Sequence, residues 1–414
     1  MSRLNLGKDL YLAGRIGWRG LNKDEYLEYS DYKIINATAL MDGYVDWNNC
    51  GFISTERYYE SEEIMLQEGD ILISKDGTLG KIGYVKNLEG YCTVASGVFV
   101  LRNTNPEIVD FNFLYHLLKS EVFKDFVKRN KSLGSTINHL YQRDLENFEV
   151  DLPDIETQKE IASVLDSIDE KIENCKKQNK LIMDEVKTIF DFYFLQYNFP
   201  NKNGNPYREN GGKFKYISEM DSEIPENWEV GNLYDIANYI NGLACQNHRP
   251  KNNENYLPVI KIKEMNMGYS EDTEICSANV NKKYHIVSGD ILFSWSATLK
   301  TCIWGASEGV LNQHIFKVEP TKYGKYYTFF QLDSYLINFK KMAASRKTTM
   351  GHITSQHIKQ SRISLPPKEV ADIFEAKTKD LMEKAVNCDV EINELTKLRE
   401  FYLPQFMCGK LTIK

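Results

Sequence analysis

Apolar positions spaced alternately four and three apart mark two long stretches of this chain. After Pro153 they fall at Ile161, Leu165, Ile168, Ile172, Cys175, Asn179, Ile182, Val186, Ile189 and Tyr193. This is the pattern of a helix with one apolar seam, interrupted by a single polar knob at Asn179. A weaker seam of similar length runs through Phe374, Thr378, Leu381, Ala385, Cys388, Ile392, Leu395, Arg399 and Tyr402. The two stretches predict an antiparallel intramolecular coiled coil, with a zipper between two copies of the chain as the alternative. As one helix, residues 153–197 would span roughly 65 Å at about 1.5 Å per residue, a spacer between globular ends. Elsewhere the pattern shortens. Asp31–Val45 and Ile64–Val100, then Tyr256–Tyr269 and Tyr284–Val318, carry β-branched and aromatic runs broken by glycines, and they read as strands. Helical stretches, Phe111–Lys131 and Tyr326–Lys341, follow them. Each half is therefore expected to be α+β.

The halves also repeat in detail. Gly69-Asp70-Ile71-Leu72-Ile73-Ser74 returns 220 residues later as Gly289-Asp290-Ile291-Leu292-Phe293-Ser294, and Thr78-Leu79 returns as Thr298-Leu299. Thr136 to Leu140 returns as Thr349 to Ile353, and Leu152-Pro153 as Leu365-Pro366, now 213 residues apart; that offset holds through Cys175 and Cys388 to Ile189 and Tyr402. A period this long is no solenoid unit. It predicts tandem domains at 1–152 and 198–364, separated by long helices at 153–197 and 365–414, with pseudo-two-fold symmetry.

Composition narrows the class. A chain of 414 residues with 42% apolar and 12% aromatic residues is globular and large enough for two or three cores. No apolar run approaches the 18 or more residues that span a bilayer, and Met1–Leu10 lacks the apolar core of a signal peptide. Eight cysteines show no C-x-x-C pair and no ligand spacing with the seven histidines. Free thiols in a reducing cytoplasm are expected, and no metal site.

The net charge of −7 is unevenly placed: residues 1–150 carry 17 basic against 22 acidic side chains, whereas 198–364 carry 20 against 16. Basic clusters at Lys124, Lys128, Arg129 and Lys131, and at Lys340, Lys341, Arg346 and Lys347, lie just before the two T-x-x-H segments. A solvated helix face and a phosphate-contacting surface both fit one cluster; recurrence in both halves favours phosphate.

Catalytic motifs are missing. There is no F-x-G-x-G to hold S-adenosylmethionine and no G-x-x-x-x-G-K-[ST] to hold ATP. Leu365-Pro366-Pro367-Lys368 lacks the Asn or Asp and the aromatic residue of an amino-methyltransferase motif, and Asn205-Pro206-Tyr207 reads as a turn. Pro153-Asp154 with Glu185-Val186-Lys187 superficially matches a nuclease site, but one charged helix carries both parts. Gly77-x-x-Gly80-x-x-Gly83 could cradle phosphate; because Ala297, Lys300 and Ile303 replace these glycines in the second half, a strand turn is the preferred reading.

The order of pieces resembles the specificity subunit of type I restriction-modification systems, two target recognition domains alternating with two long helices. The resemblance covers essentially the whole chain. It is carried by Gly69–Ser74 with Thr78, Gly134–Pro153, Gln158–Ala162, Phe194–Pro200 continuing to Gly211–Lys213, Ile224–Trp228 and Gly409–Leu411. Nothing matching Ile224–Trp228 precedes the first half, which leaves open how its sheet edge is completed. The resemblance implies a non-catalytic subunit that binds an asymmetric two-part sequence in double-stranded DNA, one half per domain. Its partners would be modification subunits, expected to be two, and restriction subunits, which would bring S-adenosylmethionine, ATP and Mg2+; this chain would bind none of these itself. A self-contained methyltransferase or restriction enzyme, and a purely structural coiled-coil scaffold, are the rival readings.

If the halves read different sequences, residues shared between them cannot carry the difference. Ser74, Thr78, Thr136 and His139, with Ser294, Thr298, Thr349 and His352, are therefore expected to build scaffold or touch phosphate, together with Lys128, Arg129, Lys131, Arg346 and Lys347. Base readout is expected from residues that differ: Trp18, Arg19, Asn22, Lys75 and Asp76 in the first domain, Asn247, His248, Arg249, Trp295, Ser296 and Lys300 in the second. Arg and Asn suit guanine and adenine edges.

Overall fold

Ile71, Leu72 and Ile73 are all fully buried, so the strand they form is covered on both faces and cannot lie at an open edge. In the computed structural model, which describes residues 2–16, 20–41, 43–130, 139–270, 272–344 and 352–411, this strand sits inside a six-stranded sheet. The order is Tyr11–Gly14, Val98–Arg102, Ile71–Ser74, Ile82–Tyr84, Gly43–Val45 and Leu40–Met41. Strand alternation separates two cores. Ile71, Ile73, Phe99 and Leu101 face a helical layer containing Phe113, Leu114, Leu117, Ile161, Leu165, Leu403 and Phe406. Leu72, Val98 and Val100 pack on the other side against Leu40, Val45 and Val94. A second, three-stranded sheet pairs Tyr32–Ile35 in parallel with Tyr91–Val94 and antiparallel with Gly51–Phe52. These elements belong to one compact unit, Met1–Asp169 with Leu398–Lys414.

The other unit, Glu170–Lys397, repeats the pairing of the first four strands of the large sheet and of the three strands of the small one, and among the described residues has no counterpart to Gly43–Val45 and Leu40–Met41. Ala237–Asn241, Ile315–Pro320, Ile291–Ser294 and Lys300–Ile303 form an antiparallel sheet in this order. Beside it, Tyr256–Ile260 runs parallel to Gly309–Leu311 and antiparallel to Ile275–Ser277. The pairing Leu72↔Val100 corresponds to Leu292↔Lys317. The open question about the first half is answered by its opening strand. Ser2–Asn5 pairs antiparallel with Glu149–Leu152 as Glu229–Gly231 pairs with Ile363–Leu365.

The first long helix covers Ile155–Phe190 and passes into a π-helical turn at Asp191–Leu195; the second covers Lys368–Met407. Ile161, Leu165, Ile172, Cys175, Ile182, Val186 and Tyr193 are buried, whereas Ile168 and Ile189 are half-buried. Within the second unit, Lys171 meets Glu391 at 3.2 Å and Asn179 Nδ2 donates to the Ala385 carbonyl at 3.1 Å. Partners thus descend along one helix as they ascend along the other. Asp154 accepts from the Thr157 N–H at 3.0 Å as a helix cap, and Val186 is fully buried, so no metal cradle arises from the nuclease-like residues. All eight cysteines are free. Among the described residues no helix is long and apolar enough to cross a membrane.

Asp389 lines a cavity of about 180 Å3 in the second unit with Asn179 and Cys302, and burial pushes its carboxyl up to about 6. A carboxyl raised from about 4 in the unfolded chain favours the protonated folded state, so its stabilisation is present at low pH and lost as pH rises from about 4 to 6. Asp389→Asn is expected to remove that decline and to raise stability at pH 7 by about 1 kcal/mol. Urea unfolding at pH 4 and pH 7 checks it.

Candidate nucleic-acid interface

The central strand of each unit ends at a serine whose hydroxyl is used up locally. Ser74 Oγ donates to the Thr78 carbonyl at 2.6 Å and accepts from the Lys81 N–H at 2.9 Å; Ser294 Oγ donates to the Ser296 carbonyl at 3.2 Å. Both serines are fully buried. They hold the turn and leave no hydroxyl for an outside ligand. The turns are also alike in backbone: Gly77 is left-handed at φ +68°, and Ala297 takes the same region at +56° although it carries a Cβ. Replacement of the glycine has not changed the turn.

The residue after each serine is fixed by two matching backbone bonds. Lys75 donates to the Gly97 carbonyl at 2.9 Å and accepts from the Leu140 N–H at 3.0 Å; Trp295 donates to the His314 carbonyl at 3.1 Å and accepts from the Ile353 N–H at 3.0 Å. One frame therefore carries a lysine in the first unit and a tryptophan in the second. Even the underlying ring is kept. Lys75 Nζ lies 4.7 Å from the centre of the Phe99 ring, and Trp295 lies 6.0 Å from Phe316. Burial pulls the Lys75 ammonium pKa down, opposed by Asp76.

The T-x-x-H histidines come to the same frame and meet different partners. His139 Nδ1 hydrogen-bonds the Asp76 carboxylate, and its ring stands edge-on to Tyr141 at 4.7 Å. His352 is exposed and stands edge-on to Trp295 at 5.7 Å. Trp295 Nε1 donates to Asn241 Oδ1 at 2.9 Å, and His314 packs against the indole at 5.0 Å. Sequence reasoning missed Asn241 and His314. His314 is left-handed at φ +79° and stands where the first half has Gly97, a mismatch visible on aligning the halves.

Other expected residues lie apart from this frame or are engaged. Thr78 and Thr298 are exposed on the turns. Ser296 is buried. Lys300 Nζ donates to the Met265 carbonyl at 3.2 Å and Asn266 Oδ1 at 2.7 Å. Asn247 and His248 are exposed, and Arg249 pairs with Glu274 at 2.9 Å. Asn22 is exposed and precedes a short 3-10 turn, its N–H donating to Glu25 at 2.7 Å. The first basic cluster is partly neutralised on its own helix: Lys124 pairs with Glu121 at 2.7 Å, Lys128 with Asp125 at 3.2 Å, and Arg129 Nε donates to the Asp125 carbonyl at 3.2 Å. Trp18, Arg19, Lys131, Thr136, Arg346, Lys347 and Thr349 lie outside the described residues. No group of three or more metal-ligating side chains occurs among the described residues.

Comparisons with known proteins agree with this duplicated frame. Residues 17–183 and 225–393 each match the model of the type I restriction modification DNA specificity domain. The chain is 26% identical to the type I restriction enzyme MjaIX specificity subunit of Methanocaldococcus jannaschii, over 84% of this chain and 78% of that protein. It is 22% identical to the HindI specificity subunit of Haemophilus influenzae, over 84% of this chain and 87% of that protein. A crystal structure of a type I restriction-modification S subunit from M. genitalium shares the fold, with a TM-score of 0.58, 13% identity, and coverage of 98% of this chain and 95% of that one. Two matched domains spanning most of the sequence place this chain in the type I restriction-modification DNA specificity family.

Proposed function

We propose that this DNA specificity subunit reads one asymmetric, two-part duplex sequence, with each recognition domain contacting one half. The observation that carries this reading is the shared strand end at which Lys75 and Asp76 in one unit are replaced by Trp295 and Ser296 in the other. A common frame with different chemistry at its tip suits a protein whose halves recognise different base edges. Ser74 and Ser294 are scaffold; Lys75, Asp76 and His139 face one half-site, and Trp295 and His352 face the other. The long helices form an antiparallel intramolecular coiled coil that sets the gap between half-sites, which joins the units in a pseudo-two-fold arrangement and divides the chain at 152, 197 and 364. Two modification subunits bring S-adenosylmethionine and methylate the DNA, restriction subunits use ATP and Mg2+ to cut it, and the complex works in the cytoplasm. This chain supplies the address and no catalytic group.

Lys75→Ala and Trp295→Ala are each expected to weaken specific DNA binding about tenfold, within the 1–3 kcal/mol of one good base contact. Each should relax preference in one half of the site only. Binding of duplexes altered in one half at a time, at fixed salt and with the modification subunit present, checks this; equal loss on every duplex would remove both residues from base readout.

A further inference from the structure

The turn at Gly80 has a second neighbour besides the reading frame. Gly80 and Lys81 stand on the wall of a cavity of about 560 Å3 that lies wholly in the first unit and whose other charged lining groups are Lys119, Lys124 and Arg399. Asp169 answers part of that charge, 3.5 Å from Lys119 and 2.5 Å from Arg399, and Glu121 answers Lys124 at 2.7 Å. Lys119 and Arg399 thus share one buried carboxylate, with Lys119 also donating to Tyr115 Oη at 2.8 Å, and the four cations of the wall are answered by two carboxylates. Arg399 Nη2 is buried and has no hydrogen-bond acceptor. Leu79 and Leu118 make the facing wall apolar. The volume lies in the range of small-molecule sites.

The second unit shows that this is not part of the duplicated frame. Its cavity beside the matching strand pair has about 180 Å3, with Thr301 where Lys81 stands, and its lining holds Asp389 and no lysine or arginine. Cations gathered in one copy alone, around an arginine nitrogen without an acceptor, call for an anion. Lysine and arginine clusters beside exposed turn backbone suit the oxygens of phosphate.

We propose that this cavity binds a phosphate group carried on a larger molecule, with Arg399, Lys119 and Lys81 on the phosphate oxygens and the leucine wall against the remainder. Free nucleotides and the DNA backbone present the same chemistry, and the test separates them. The purified full chain would be incubated with pyrophosphate, ADP, adenosine or a short duplex of unrelated sequence, and acetylation of Lys81 and Lys119 followed by mass spectrometry. Protection by pyrophosphate and ADP, not by adenosine, with at least a tenfold loss of affinity in the exposed-site variants Lys81→Glu and Lys124→Glu, is the expected result. Protection by the duplex alone, lost in the same variants, would identify the phosphate as DNA's. Protection by neither, or unchanged affinity in Lys81→Glu, would overturn the site.

Discussion

Exchange of residues 1–150 for the same region of a relative will change one half of the methylated sequence and leave the other as it was. The junction falls inside the pairing of Ser2–Asn5 with Glu149–Leu152, whose backbone bonds form with any side chains. What must be kept are contacts that cross it. His116 Nε2 meets Asp166 at 2.8 Å with its ring fully buried, and the Gln158 side chain bonds both the Asp110 N–H and the Ile108 carbonyl. A donor with a different residue at 116 would strand Asp166 and lose stability for reasons unrelated to recognition. Methylome sequencing of cells that carry the chimera and the modification subunit reads the outcome. A change in both halves would mean that the units do not read independently.

Phe374→Ala will destabilise the second unit by about 3–5 kcal/mol, the range for removing a fully buried aromatic ring. The ring stands 5.3 Å from Phe194, 5.7 Å from Phe190, 6.3 Å from Phe330 and 6.4 Å from Tyr193, so it joins both long helices to the helix Lys325–Ala344. Few atoms could collapse into the space without moving a helix. Urea unfolding followed through tryptophan fluorescence would report it, because Trp228 lies 6.0 Å from Phe194 in the same core. Phe374→Leu should cost less, and a loss under about 1 kcal/mol for the alanine variant would show that the cluster repacks.

The long helices and the central strands were legible because their patterns persist: Ile161 to Tyr193 keeps one spacing over many turns, and Ile71–Ile73 is apolar without a break. The duplication was legible for the same reason, since two copies of Gly-Asp-Ile-Leu agree with each other. Ser2–Asn5 was not. Four residues without alternation carry no strand signal, and their partner lies 144 residues or more away. The site was legible only in outline. Comparison of the halves located Ser74, Lys75 and Trp295, but it could not tell that Ser74 Oγ is consumed within its own turn. The basic cluster at Lys124–Arg129 looked freer than it is, although Glu121 and Asp125, three residues before Lys124 and Lys128, were there to be read as helix neighbours. Lys75 lying over Phe99 needed the strand pairing, which brings together residues 24 apart.

The first unit draws its core from two distant stretches of chain, with Leu403 and Phe406 packed among residues of Met1–Asp169. On the ribosome its first strands emerge before any of the second unit, yet the side chains that close its helical layer arrive only after the whole second unit has been made. The half that is born first therefore finishes folding last, and it waits with Ile161, Leu165 and their neighbours uncovered while some 228 residues are translated. Nascent chains released before residue 398 would be the ones that most need chaperones, however well the second half has folded.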